Sequence, residues 1–232
     1  MIKKLEMGPF ILNCREGYSD EKTFKEVIGA NVYQRKDFKI KKDEKWMDCG
    51  GNVGAFAVLA AKLGAIVTTY EPCPENCRMI EKNLKENNLN ANIVNAALVP
   101  GKEKFVILHT GNNNQVWRNS LYKQWRGGNK IKVKAINFDE EAKNFDCCKM
   151  DIEGAEMPIL ENSNYVFNKL VYEWSLDIDR NLMRLWKVYD KHLTQYKNVF
   201  VDKESATAVK TRAHSTWQSN WFPACTNVYC SN

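Results

Sequence analysis

The 232-residue sequence holds only three histidines and six prolines, and its eight cysteines include no CxxC pair. Without such pairs the usual structural zinc frameworks are excluded, because they need thiolates at that short spacing. Cys73 and Cys77 are four residues apart, and adjacent Cys147 and Cys148 fall in an apolar segment. Reduced core cysteines are therefore expected, which implies a reducing, cytoplasmic location. The few histidines leave little for an imidazole relay. His109 ends an alternating segment and His192 lies in a helical one, both expected to be structural or solvated. His214, in a polar loop beside Arg212 and Trp217, is held as a reserve base.

Long apolar runs are missing too. The longest, 53–63, is interrupted by Lys62 and falls short of the about 20 residues that a membrane helix requires. The first ten residues carry lysines but no apolar stretch ending in a small-residue cleavage site, so no secretion signal is expected. Charge is not concentrated either. Lysine and arginine number 34 against 28 acids, and the excess of +6 is spread over 36–45, 118–134 and 203–212. That is thin for a nucleic-acid stripe; solvated surface, or an acidic partner such as a nucleotide-sugar, accounts for it.

At 44% hydrophobic and 27% charged, the chain reads as one globular domain, 46–232, with residues 1–45 as an extension packed on it. From Trp46 onward, short apolar runs alternate with helical stretches, the pattern of βαβ units and a mostly parallel sheet. Strands are expected at 45–48, 65–70, 93–98, 145–150 and 170–174, with helices after the first and second and at 179–196. Extra β segments are expected at 104–108 and 130–135, and an antiparallel pair at 199–201 and 227–230. Before Trp46, residues 18–42 read as a helix plus a short strand.

The run Asp48-Cys49-Gly50-Gly51-Asn52-Val53-Gly54 puts glycines where the first strand turns into a helix. Glycine permits positive φ and lets a ligand approach the backbone. A tight structural turn would need no more, but Glu71 ends the next strand, where a carboxylate can grip the two hydroxyls of a ribose. A dinucleotide enzyme also uses a glycine turn and a later acid. Its G-x-G-x-x-G spacing is not met by Gly50, Gly51 and Gly54, however, and Asp48 before the turn would repel a pyrophosphate. A cofactor carrying an ammonium and a sulfonium suits that acid.

Three segments carry a family resemblance: 48–54, then Tyr70-Glu71-Pro72 with Asn76, then Lys149-Met150-Asp151-Ile152-Glu153-Gly154-Ala155-Glu156. In order and spacing they resemble the FkbM-type methyltransferases, over about residues 33–160. The resemblance implies a class I, Rossmann-like, doubly wound fold and methyl transfer from S-adenosylmethionine, usually to oxygen, leaving S-adenosylhomocysteine. It implies that Asp48, Gly50, Asn52 and Gly54 line the methionine end, that Glu71, with Pro72 and Asn76 in its segment, holds the ribose, and that Asn95 and Ala96 flank the adenine. Many relatives act on sugars and surface glycans.

Asp151 follows the fourth strand and Glu173 ends the fifth, at the carboxyl edge where open α/β sheets bind ligands. Asp151 is the expected base for a weakly nucleophilic hydroxyl. Sharing a magnesium ion between Asp151 and Glu173 is an alternative, though no metal is expected from two carboxylates. Glu156 reads as a helix-start carboxylate. Four of seven tryptophans fall in two polar loops: Trp117 and Trp125, beside Arg118 and Ser120, and Trp217 and Trp221. Flat rings among amides suit a sugar, although packing on the domain's own core is an equal reading. Other readings are a nucleic-acid methyltransferase and a non-catalytic binding module.

Overall fold

The computed structural model describes residues 1–111, 119–124, 126–175, 178, 182–201 and 225–232. The chain opens with a hairpin, β1 (Ile2–Met7) and β2 (Phe10–Arg15), then α1 (Asp20–Phe24), which runs into a π-helical turn over Lys25–Gly29. The regular part follows: β3 (Lys45–Cys49), α2 (Ala55–Lys62), β4 (Ile66–Tyr70), α3 (Pro74–Glu86) and β5 (Asn92–Val94). Next come β6 (Ala97–Val99), β7 (Phe105–His109), β8 (Lys130–Asn137), α4 (Phe138–Ala142), β9 (Cys147–Met150), α5 (Glu156–Asn162) and β10 (Lys169–Ser175). The chain closes with α6 (Leu182–Lys191), a 3-10 turn (Leu193–Gln195), β11 (Asn198–Val201) and β12 (Cys225–Ser231).

Among the described residues the central sheet has the order β11-β12-β10-β9-β3-β4-β5. Pairs from β10 through β5 are parallel, and β12 alone runs against its neighbours, wedged between β10 and β11. This is a doubly wound, mostly parallel arrangement with a terminal antiparallel strand, as expected. The extra β segments form a second sheet, β6-β8-β7.

Two apolar layers cover the central sheet. On one face Trp46, Cys147 and Val171 pack with Phe56 and Val58 of α2, Ile80 of α3, and Phe10, Leu12 and Phe24 of the N-terminal segment. On the other, Met47, Cys148 and Tyr172 pack with Ile159 and Leu160 of α5 and Val188 of α6. Strands buried on both faces need continuous apolar runs, which is why β3 and β9 show little alternation. Gly64, at φ +86°, ends α2 in the left-handed conformation that a side chain resists. Pro74 begins α3 at a position where a missing N–H costs nothing. No described helix is long and apolar enough to cross a membrane.

Two expectations need correction. The segment 93–98 is not one strand: the Ala96 N–H donates to Val94 O at 2.9 Å, breaking it into β5 in the central sheet and β6 in the second sheet. No strand follows α1 before β3; residues 30–44 are irregular, and Tyr33 and Phe38 anchor them edge-on against Phe56 and Trp46. The hairpin at 2–15 went unforeseen. Its β2 edge is satisfied by side chains of α3 and of the residue that caps it: the Asn13 N–H donates to Asn83 Oδ1 at 2.6 Å and the Ile11 N–H to Asn87 Oδ1 at 3.0 Å.

A buried ion pair fixes the same hairpin. Arg15 grips Asp20 through two nitrogens at 2.9 Å each and donates on to Asn76 Oδ1 at 3.0 Å. Glu75, 3.3 Å from the Arg15 guanidinium, remains when Asp20 is removed, so Asp20→Ala is expected to cost about 1.5–3 kcal/mol in urea denaturation, the scale of hydrogen bonds to a charged group. A loss below about 1 kcal/mol would show the hairpin to be a loosely held appendage.

Candidate active site

Strand order reverses between β3, which leads outward to β4 and β5, and β9, which leads the other way to β10. Ligands of open α/β sheets bind at such a switch point, beyond the carboxyl ends of the strands. Here Gly50 and Asp151 follow those two strands directly. The N–H groups of Gly50 and Gly51 both donate to Tyr70 O, at 2.9 and 3.2 Å, and the Asp151 N–H donates to Cys49 O at 3.1 Å. Gly50, Asn52 and Gly54 all lie in the left-handed region, at φ +86°, +49° and +88°. A Cβ on Gly50 would stand 2.0 Å from the Asp151 carbonyl oxygen, so both its φ and its contact demand glycine.

Glu71 sits at the foot of this turn. One carboxyl oxygen accepts the Asn52 N–H at 2.7 Å and the other the Cys73 N–H at 2.8 Å. Burial pushes its pKa up to about 7, against the pull of those two N–H groups and the Asn76 side chain. Asn95 donates to the carbonyls of Glu71 at 2.8 Å and Pro72 at 3.1 Å, and Ala96 beside it is fully buried. The segments thought to hold ribose and adenine are thus knit together.

Asp48 lies beneath the turn with no exposed surface. Its carboxylate faces Lys149 Nζ at 3.1 Å and accepts from Thr69 Oγ1 at 2.8 Å. Lys149 also donates to the carbonyls of Gly50 at 2.7 Å and Cys49 at 3.3 Å. Burial would lower the lysine's pKa, but Asp48 and Asp151 outweigh it and hold it raised.

The Tyr33 hydroxyl donates to Asp151 Oδ2 at 2.7 Å. Burial and then the carboxyls of Asp151 and Glu173 push the phenol well above its ordinary pKa, which keeps it a donor. Carboxyl oxygens of Asp151, Glu153 and Glu173 lie within 4.8 Å of one another. Burial, then Asp151 and Glu156, raise the Glu173 pKa well above the carboxylate range. Glu156 accepts the N–H groups of Ile152 at 2.6 Å and Gly154 at 2.8 Å, so it holds the loop that carries these acids.

Two histidines were expected to be structural or solvated. His192 is buried with Nε2 2.5 Å from Leu160 O, and His109 ends β7. Trp117, Arg118, Trp125, His214, Trp217 and Trp221 lie outside the described residues. Sequence reasoning missed Tyr33 and gave Lys149 no role. The lysine's place in the motif of 149–156 was a signal for it; nothing local marks Tyr33.

Residues 48–196 match the methyltransferase FkbM domain family. The chain belongs to that family. No curated protein matches it by sequence. Among solved structures, the Pyrococcus abyssi tRNA (uracil-54, C5)-methyltransferase in complex with S-adenosyl-L-homocysteine is similar at 12% identity and a TM-score of 0.48, covering 99% of this chain. This chain spans 43% of that one's length. The precorrin-6y C5,15-methyltransferase from Geobacter metallireducens GS-15 is also 12% identical, with a TM-score of 0.48 and coverage of 94% and 93% of the two chains.

The methyl donor of the FkbM family is S-adenosylmethionine, and the donor set fits it. The turn runs through left-handed backbone at Gly50, Asn52 and Gly54, a buried carboxyl stands at Glu71, and the acids Asp151, Glu153 and Glu173 crowd the edge, with Lys149 paired to Asp48 beneath the turn. A sulfonium and an ammonium suit such surroundings, whereas a pyrophosphate would be repelled.

Glu156 supplies a test of this loop. Burial raises its pKa from the ordinary 4.5 to about 7, so between those values the folded chain keeps a proton that the unfolded chain releases. Its stabilising contribution is present at low pH and is lost as pH rises through about 7. From about pH 5 to about pH 7.5 the parent should lose stability relative to Glu156→Gln, which cannot titrate. A stability difference that stays constant over that range would contradict the buried carboxyl.

Proposed function

We propose that the protein transfers the methyl group of S-adenosylmethionine to a hydroxyl, with a sugar or glycan as the acceptor class. The observation that carries this reading is the Asp151 carboxyl at the switch point, fixed by Tyr33 at 2.7 Å and adjoining the glycine turn.

In this reading Gly50, Asn52 and Gly54 hold the methionine end of the cofactor, and Asp48 acts from below, through Lys149, to keep the turn against β9. Glu71 takes the ribose hydroxyls, with Pro72 and Asn76 shaping that segment, and Asn95 and Ala96 flank the adenine. When bound, S-adenosylmethionine supplies an electrophilic methyl carbon on a sulfonium. Asp151 accepts the hydroxyl proton as the acceptor's oxygen bonds to carbon, a service worth roughly 100- to 10,000-fold in rate. Tyr33 orients the carboxyl for that transfer, and Glu173 completes the acidic wall.

The acceptor class rests on the family resemblance and on the loops that carry Trp117, Arg118 and Trp125, and Trp217 and Trp221, with His214 as the reserve base. One further contact supports it. Ser120, in the first of those loops, donates to the Glu153 carbonyl at 2.6 Å, which ties the loop to the acidic edge. Holding a sugar oxygen in line with the methyl carbon supplies much of the rate, so rigid aromatic walls suit the task.

The test is methyl incorporation across a panel of sugar glycosides and glycan fragments, with transfer RNA as a comparison. Asp151→Asn is expected to lower turnover on the best acceptor about a hundredfold or more, with melting temperature and S-adenosylhomocysteine affinity near the parent's. Near-parental turnover would remove Asp151 from the chemistry. Methylation of RNA alone would replace the carbohydrate acceptor.

A further inference from the structure

Beyond Asp151 the sheet edge continues across two more strands. In the register, Tyr172 of β10 is level with Met150 of β9, and Glu173 stands directly opposite Asn227 of β12. The residue after Met150, Glu173 and Asn227 therefore form one row across three adjacent strands. Directly opposed side chains of an antiparallel pair leave the sheet on the same face. Asn227 is only 7% exposed, and among the described residues its Oδ1 accepts no hydrogen bond. A buried amide oxygen without a donor is costly and calls for an explanation. Its cross-strand partner Glu173 has a carboxyl oxygen within 4.8 Å of those of Asp151 and Glu153. Lys149, the buried cation at this edge, is already taken by Asp48 and two backbone carbonyls.

We propose that Asp151, Glu153, Glu173 and Asn227 form a binding site for one divalent, oxygen-preferring cation of the magnesium or manganese type. Every donor is oxygen, three are carboxylic and one is an amide carbonyl; such hard ligands select these ions over the softer metals that thiolates and imidazoles hold. The cation accounts at once for the crowded acids and for the amide oxygen that lacks a donor. Tyr33 engages Oδ2 of Asp151.

The inference rests on the hydroxyl-methylation reading for its purpose. A cation here binds the acceptor's oxygen and makes its proton easier to lose. The step is otherwise unchanged: the oxygen–carbon bond forms, the carbon–sulfur bond breaks, and the proton goes to a carboxyl oxygen that the ion does not engage.

The experiment measures free manganese by electron paramagnetic resonance as Mn²⁺ is titrated into the chelator-treated full chain, with S-adenosylhomocysteine binding followed in parallel. One ion per chain is expected. Glu173→Gln and Asn227→Ala should each weaken it at least about tenfold, while Asn227→Asp should bind as tightly or more so. Melting curves identify any variant that fails to fold, and Glu153→Gln then stands in for it. No manganese binding by the parent, or binding that none of these changes moves, overturns the site. S-adenosylhomocysteine binding that persists without manganese leaves the methyltransferase reading intact; manganese binding without S-adenosylhomocysteine leaves the cation site and removes its purpose.

Discussion

The contact on which the site depends is between the ends of β3 and β9, where Lys149 reaches under the glycine turn to Asp48. Its ammonium lies 3.1 Å from the Asp48 carboxylate and 2.7 Å from the Gly50 carbonyl, wholly inside the protein. Burying two charges costs several kcal/mol each, so the pair is not there for stability alone; apolar residues of like volume often do as well. Its value is positional. It ties a backbone with left-handed φ values at 50, 52 and 54 to the strand whose end carries Asp151. Gly50 allows the two backbones to approach that closely.

From that contact the other parts acquire their places. Tyr33 packs its ring on Phe56 of α2 and lies 5.4 Å from the Lys149 ammonium, with its hydroxyl on Asp151. The segment before β3 thus supplies one wall of the site as well as core. Glu71 is pinned from the turn side by Asn52 and from the helix side by Cys73. Glu156 and Ser120 hold the loop of 151–155 from opposite directions, one through its backbone N–H groups and one through a carbonyl. Preorganised groups of this kind need not reorganise when charge shifts, and that is how such sites gain rate.

Much of this was legible in the sequence. The glycine turn, Glu71, and the 149–156 motif are local patterns, and strand-turn-helix units impose their spacing directly. What was not legible depends on distant pairing. Tyr33 meets Asp151 across 118 residues of chain, and no periodicity predicts a side chain's partner at that range. The hairpin at 2–15 was missed because its β2 edge is closed by asparagines of α3 and its C-cap, a solution with no alternating signature in the sequence. The break at Asn95-Ala96 was hidden for a related reason: 92–99 is apolar enough for one strand, and a backbone turn with side-chain bonds from Asn95 divides it.

In the proposed reading the β3 turn and Glu71 together hold S-adenosylmethionine. Calorimetric titration of S-adenosylhomocysteine into the parent protein and into Gly50→Ala tests it most directly. Saturable one-to-one binding by the parent, weakened at least about a hundredfold by the added methyl, is predicted, since about 2.8 kcal/mol is modest against the strain of a Cβ at that φ and contact. No heat and no thermal stabilisation of the parent by either the cofactor or its demethylated product would contradict it.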